Sequence, residues 1–247
     1  MVRKQILVTG ASRGIGKAIV LRQAKAGADI IGVASSLQSA EAVRDLVEEC
    51  GVNYSAFGVD LANLNAVEEL CAQLSRDFGV LDGMVLAAGM NLRAPVAEFT
   101  DEAWKQVMAV NLDSVFVMMR ELGRPMALRG NGAIVVLASL LSFQGGLTVP
   151  AYAASKSGVA GLVKSFANEW AAKGVNVNAV APGYVATDMN AALLADETRQ
   201  RQILERIPAG RWAKPEDIAG AVAFLLSDDA AYVHGVTFPV DGGWLGR

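Results

Sequence analysis

Short, β-branched apolar runs alternate with longer amphipathic stretches along almost the whole chain. Gln5–Thr9, Asp29–Ala34, Asn53–Val59, Leu81–Ala87, Gly132–Ser139, Gly174–Val180 and Val236–Val240 read as buried strands. Helical spacing runs through Ile15–Ala26, Ser39–Cys50, Leu64–Phe78, Thr100–Leu128 and Tyr152–Lys173. Strands that are apolar on both faces, separated by helices, predict a parallel sheet covered on both sides. Right-handed crossovers then make the fold α/β and doubly wound. No repeat or linker interrupts residues 1–247, so a single domain is expected. The polar, Ala-rich stretch Asp188–Pro208 is the main irregularity, and its place suggests a lid over a cleft.

Composition narrows the function classes. With 247 residues, 53% of them hydrophobic, the chain can build a large core and still leave apolar surface for partner subunits. Its 22 basic and 25 acidic residues form no block of one sign, which argues against a nucleic-acid surface. The apolar run Ala219–Leu226 stops at Ser-Asp-Asp, too short to cross a membrane. A strand begins within a few residues of Met1, leaving no room for a signal peptide, so a cytoplasmic location is expected. Cys50 and Cys71 lack metal-ligand spacing and read as reduced packing thiols. The single histidine, His234, cannot build a metal site alone and reads as structural; no metal is expected.

The first predicted strand leads into Thr9-Gly10-Ala11-Ser12-Arg13-Gly14-Ile15-Gly16 and then a helix. Glycines there let the backbone turn tightly and approach a pyrophosphate at the positive helix N-terminus. Ala18 stands where a phosphate-hydrolysing loop needs Ser or Thr for Mg²⁺, so nucleotide hydrolysis is disfavoured. At the end of the second strand there is no carboxylate to accept from an adenosine ribose, only Ser35 and Ser36. Arg13, with those serines, suits a 2′-phosphate, which favours NADP(H), with NAD(H) the alternative. Asp60 and Leu61, ending the third strand, suit the adenine, although an aspartate there is also an ordinary helix cap.

Tyr152 and Lys156 are spaced to share one helix face, Ser139 ends the preceding strand, and Asn111 lies in the long helical stretch before it. A nearby ammonium is what a tyrosine, ordinarily titrating near pH 10, needs to act near neutrality. Thr9–Gly16, Asp60, Asn111, Ser139, Tyr152, Lys156 and Pro182-Gly183 together resemble the short-chain dehydrogenase/reductase family, from about Gln5 to Leu245. The resemblance implies a Rossmann-type sheet of order 3-2-1-4-5-6-7 and a homotetramer. It implies that Tyr152 is the general acid/base and that Lys156 lowers its pKa and binds the nicotinamide ribose. Ser139 would hold the substrate oxygen, and Asn111 would anchor a water in a proton relay. Ala88 and Gly89 would meet the cofactor through their backbone, and Pro182, Gly183, Val185 and Thr187 would wrap the nicotinamide carboxamide. Where the family carries Asn-Asn-Ala-Gly, this chain has Leu86-Ala87-Ala88-Gly89 and lacks the side-chain amides, so a less rigid loop is expected.

Within the family, the glycine turn and Ser35-Ser36 are similar to β-oxoacyl-carrier-protein reductases. The second half resembles the 2-deoxy-gluconate 3-dehydrogenase and 2-dehydro-3-deoxy-gluconate 5-dehydrogenase group. That likeness is carried by Ala138–Gly146, Ala154–Val159, Asn168–Ala171, Arg206–Trp212 and Val240–Leu245. Gln144, in the segment after Ser139, suits substrate hydroxyls better than an acyl chain. Arg93 reads equally as the partner of a sugar-acid carboxylate and as a solvated loop arginine. The resulting expectation is an oxidoreductase for a keto-deoxy sugar acid. A 3-oxoacyl-acyl-carrier-protein reductase and a non-catalytic nucleotide sensor are the alternatives.

Overall fold

The structure, a computed structural model describing residues 3–247, contains one seven-stranded sheet of order β3-β2-β1-β4-β5-β6-β7. The strands are β1 (Gln5–Thr9), β2 (Asp29–Ala34), β3 (Tyr54–Gly58), β4 (Gly83–Leu86), β5 (Gly132–Leu137), β6 (Val175–Pro182) and β7 (Thr237–Val240). Every neighbouring pair is parallel. The order reverses between β1 and β4, where Thr9 lies level with Val33 on one side and Leu86 on the other. Such a reversal opens a crevice at the carboxyl ends of the strands.

Successive strand residues point to opposite faces, and each face buries its own core. Leu7, Ile31, Met84, Leu86, Ile134 and Val136 pack with one cluster, Ile6, Val8, Ile30, Val85 and Val135 with the other. The first face is covered by α4 (Leu64–Phe78), α6 (Ser114–Arg129) and α7 (Pro150–Trp170). On the second lie α1 (Gly14–Lys25) and α10 (Pro215–Leu225), so the apolar run from Ala219 is one stripe of a core helix. Removing both faces from water supplies the main driving force for this architecture.

The predicted strands were all found, while two helical expectations need correction and the irregular stretch takes on helices of its own. The stretch Ser39–Cys50 is two short helices, α2 (Leu37–Glu41) and α3 (Arg44–Glu48), with the Ser36 side chain capping α2. The stretch Thr100–Leu128 is α5 (Asp101–Met108) and α6, joined through a wider π turn at Ala109–Asp113. Such widened turns locally re-aim side chains. Asp188–Pro208 is more ordered than its composition suggested, with α8 (Ala191–Ala195) and α9 (Glu197–Leu204). Leu193, Ile203 and Ile207 dock it on Leu140 and Trp244 in a separate small core. Among the described residues no helix is long and apolar enough to cross a membrane, and no three metal-ligating side chains cluster.

Candidate active site

The glycine turn sits at the topological switch. Gly10, with φ +68, packs its backbone on Ala88, where a Cβ would come within 3.0 Å of the Ala88 Cα. A Cβ on Gly16 would overlap the Gly10 carbonyl oxygen, so the turn closes only with glycine there. Ala11 N–H donates to Val33 O at 3.1 Å and ties the turn to β2. Helix α1 has no side-chain cap from Arg13 and no acid in its first turn. Its free N–H groups and positive end therefore remain available to an anion.

Around that turn lie the other residues expected to meet the cofactor. Thr187 lies across it, 3.4 Å from where a Gly14 Cβ would stand. The exposed Arg13 guanidinium pairs with Asp188 at 3.3 Å. Ser12 and Ile15 are half-buried within the turn, and Ser35 is exposed. Ser36 is exposed too, but its hydroxyl is used in capping, accepting from Ser39 N–H and donating to Ser39 Oγ. Asp60 accepts from Ala62 N–H at 2.9 Å, as a turn-forming aspartate does, with Leu61 half-buried beside it. Pro182 ends β6, and a Cβ on Gly183 would crowd the Asp241 Cα at 2.7 Å. Buried Val185 bridges to Ala213.

The loop after β4 is steadied from outside, against the expectation of slackness. Thr9 Oγ1 accepts from Ala88 N–H at 3.1 Å. The fully buried Asn111 accepts from Met90 N–H and donates to Met90 O, both at 2.9 Å. Its amide also donates to Ser155 Oγ at 3.2 Å, so both Nδ2 hydrogens are spent. Asn111 thus braces this loop against α7, and the π turn is what aims it there.

Tyr152 and Lys156 occupy one face of α7, the Lys156 ammonium 5.7 Å from the Tyr152 ring centroid. Lys156 is buried, donates to Leu137 O at 2.6 Å, and lies 3.6 Å from where a Gly89 Cβ would sit. Burial lowers its pKa to about 8. Burial also pushes the Tyr152 phenol up, while the Ser139 hydroxyl and the positive charge of Arg93 pull it down. Ser139 stands two residues beyond β5, where its Oγ accepts from Leu141 N–H at 3.2 Å. Arg93 is exposed, on a loop held by Ala94 N–H donating to Thr148 O at 3.0 Å. Thr148 is the one non-glycine residue with positive φ among those described, at +62.

Half-buried Gln144 follows Ser139 and accepts from the Trp244 indole N–H at 3.4 Å. Trp244, Arg206, Asp188 and Thr148 were given no individual site role from the sequence, although Asp188 opens the suggested lid and Arg206 and Trp244 lie in stretches that carry the resemblance. The Gln144–Trp244 contact joins residues a hundred positions apart, and no local pattern encodes such a meeting. For Thr148, a β-branched residue just ahead of a proline-started helix gives no warning of a left-handed backbone.

A family model described as Enoyl-(Acyl carrier protein) reductase matches residues 10–245. The 2-dehydro-3-deoxy-D-gluconate 5-dehydrogenase of Pseudoalteromonas atlantica is 49% identical over 245 residues, covering 99% of this chain and 96% of that protein. The 3-oxoacyl-acyl-carrier-protein reductase of Escherichia coli is 39% identical over 240 residues, with 97% and 96% covered. Among solved structures, a gluconate 5-dehydrogenase from Burkholderia cenocepacia in complex with NADP and tartrate superposes with a TM-score of 0.95. It is 33% identical, with 100% of this chain and 97% of that one covered.

Proposed function

The chain belongs to the short-chain dehydrogenase/reductase family, and from that premise we propose that it interconverts a carbonyl and a secondary alcohol on a keto-deoxy sugar acid, using NADP(H). The observation that carries the substrate reading is Gln144. A half-buried carboxamide in the loop that follows Ser139 offers a pocket wall that matches hydroxyls rather than an acyl chain. Relatives of both kinds share about two-fifths or more of their residues with this chain, the sugar-acid enzyme more.

The residues fit a dinucleotide. Gly10, Ser12, Gly14, Ile15 and Gly16 would hold its pyrophosphate, with Asp60 and Leu61 at the adenine and Arg13, Ser35 and Ser36 at the 2′-phosphate. Ala88, Gly89, Tyr152, Lys156, Pro182, Gly183, Val185 and Thr187 would enclose the nicotinamide half. The bound nicotinamide supplies or accepts the hydride. Tyr152 gives its phenolic proton to the carbonyl oxygen in reduction and takes the hydroxyl proton in oxidation. Ser139 holds that oxygen and favours the phenolate, as does the charge of Arg93 on the substrate side. Lys156, with Nζ on Leu137 O beside Gly89, presents its ammonium toward the cofactor ribose. Asn111 keeps the loop and α7 in register and has acceptor capacity left for a relay water.

Three further parts belong to the same reading. Residues 188–208 act as a substrate lid, since Leu193, Ile203 and Ile207 rest on a small core separate from the two main ones. Cleavage there by a protease that cofactor and substrate leave unchanged would overturn this. The chain works as a homotetramer, in which a groove containing Leu112 of the π turn, Phe116 of α6, and Gly161 and Leu162 of α7 is covered by a second copy. Sedimentation at a monomer's mass would exclude it. The protein acts in the cytoplasm, with a reduced Cys71 buried in the core.

Initial rates at 340 nm decide the substrate, pairing NADPH and NADH with keto-deoxy sugar acids and an acetoacetyl thioester. Sugar-acid turnover without thioester turnover supports the reading. Thioester reduction alone assigns the chain to the acyl reductases instead. A Tyr152→Phe protein that binds NADPH normally but has no turnover separates an enzyme from a nucleotide sensor.

A further inference from the structure

Three side chains from distant parts of the chain meet beside the substrate wall. The Trp244 indole is buried, with 5% exposure, and donates its N–H to the Gln144 side-chain oxygen. The Arg206 guanidinium lies over the same ring, 4.0 Å from its centroid. Tyr184, two residues beyond Pro182, packs on Trp244 from another side with ring centroids 4.9 Å apart. Buried Ile203 and Ile207 pin the backbone on either side of Arg206.

Two consequences follow from the chemistry of these groups. An indole N–H can only donate, so Gln144 must turn its oxygen to Trp244 and present its NH₂ elsewhere. The substrate wall is then a donor and suits an acceptor-rich ligand. Arg44, Arg120 and Arg206 each lie over an aromatic ring, and among the described residues Arg206 is the one of these three with no carboxylate partner. Stacking on an aromatic face immobilises the guanidinium and leaves its edge N–H groups free for a planar anion.

We propose that Arg206, held on Trp244, is the carboxylate-binding residue of the substrate site, and that Gln144 donates to the hydroxyl beside it. The proposal rests on the sugar-acid reading and refines it by separating two cations. Arg93 acts electrostatically on the Tyr152 phenol. A carboxylate seated on Arg93 would cancel the charge that favours the phenolate. The anionic end of the substrate belongs on Arg206, whose guanidinium is fixed over the ring that holds Gln144, whereas no ring or hydrogen bond fixes the exposed Arg93 side chain among the described residues. Arg206 and Trp244 are positioning and binding residues and take no part in proton transfer.

The test compares the keto-deoxy sugar acid with its neutral methyl ester in wild type, Arg206→Gln, Arg206→Lys and Trp244→Phe. For Arg206→Gln the expected result is a KM for the acid raised about 10- to 100-fold, the size of a lost charge-assisted contact. Its kcat, its KM for the ester and its NADPH affinity stay near wild type. Arg206→Lys restores part of the acid affinity, and Trp244→Phe, keeping a ring but no N–H, raises KM for acid and ester alike. An unchanged KM for the acid in Arg206→Gln, or an equal rise for acid and ester, overturns the proposal. Should no sugar acid be turned over by wild type, the substrate reading fails by itself. The subsite is then judged by calorimetry of gluconate binding to the NADP⁺ complex. Binding that disappears in Arg206→Gln sustains the site, and binding that is absent from wild type or unaltered in the variant refutes it.

Discussion

Arg13 and Asp188 form an ion pair 3.3 Å long that joins the glycine turn to the first residue of the proposed lid. Both side chains are more than two-thirds exposed, so the pair adds little to stability. Its effect lies in competition, because Asp188 occupies the cation proposed to receive a 2′-phosphate. Asp188→Asn is expected to tighten NADPH binding about two- to fivefold, with a smaller change for NADH. Fluorescence titrations with both nucleotides measure this. Equal gains for the two would remove Arg13 from the 2′-phosphate.

The Tyr152 phenol is held up by burial and drawn down by Ser139 and Arg93. Removing the Arg93 charge leaves burial less opposed. In Arg93→Gln the phenolate-dependent rise of kcat/KM for alcohol oxidation therefore moves to higher pH. A pH–rate profile in which that limb stays at its wild-type position would show that Arg93 does not reach the phenol.

Lys156 has its folded pKa lowered to about 8 by burial, below the ordinary value of 10.5. Between those values the unfolded chain binds more protons than the folded one, so stability rises with pH from about 8 to about 10.5. Below pH 8 both states hold the proton and the burial cost is constant. Lys156→Met removes the titrating group. Urea midpoints across this range should climb less steeply in the variant than in wild type, and parallel slopes would refute the assignment.

Thr148 holds a left-handed backbone that costs a β-branched residue about 1–2 kcal/mol, and its carbonyl clamps the Arg93 loop through Ala94. Thr148→Gly relieves that strain and loosens the clamp together. The expected result is an unfolding midpoint at or above wild type combined with a raised substrate KM. A clear loss of stability would show that Thr148 is not strained.

Much of the fold could be read along the chain because it depends on local periodicity. Ile6, Leu7 and Val8 alternate between two cores, and each strand repeats the pattern. Residues close in sequence also disclosed part of the site. Gly10, Gly14 and Gly16 share one turn, and Tyr152 and Lys156 share one helix face, so spacing alone brings them together.

What the chain determined by itself was thus the strand and helix order, the glycine turn and the tyrosine–lysine pair, all set by geometry within a few residues. Only the tertiary structure decided which distant groups finish the site. Asn111 became a brace through a π turn that its helical stretch did not announce. Asp188 claimed Arg13, the charge of Arg93 acted on the Tyr152 phenol, and Trp244, with Arg206 over its ring, reached Gln144 from the far end of the chain. These contacts arise where separate loops converge at the carboxyl edge of the sheet. Their partners are chosen by the packing of whole elements, which periodicity along the chain does not record.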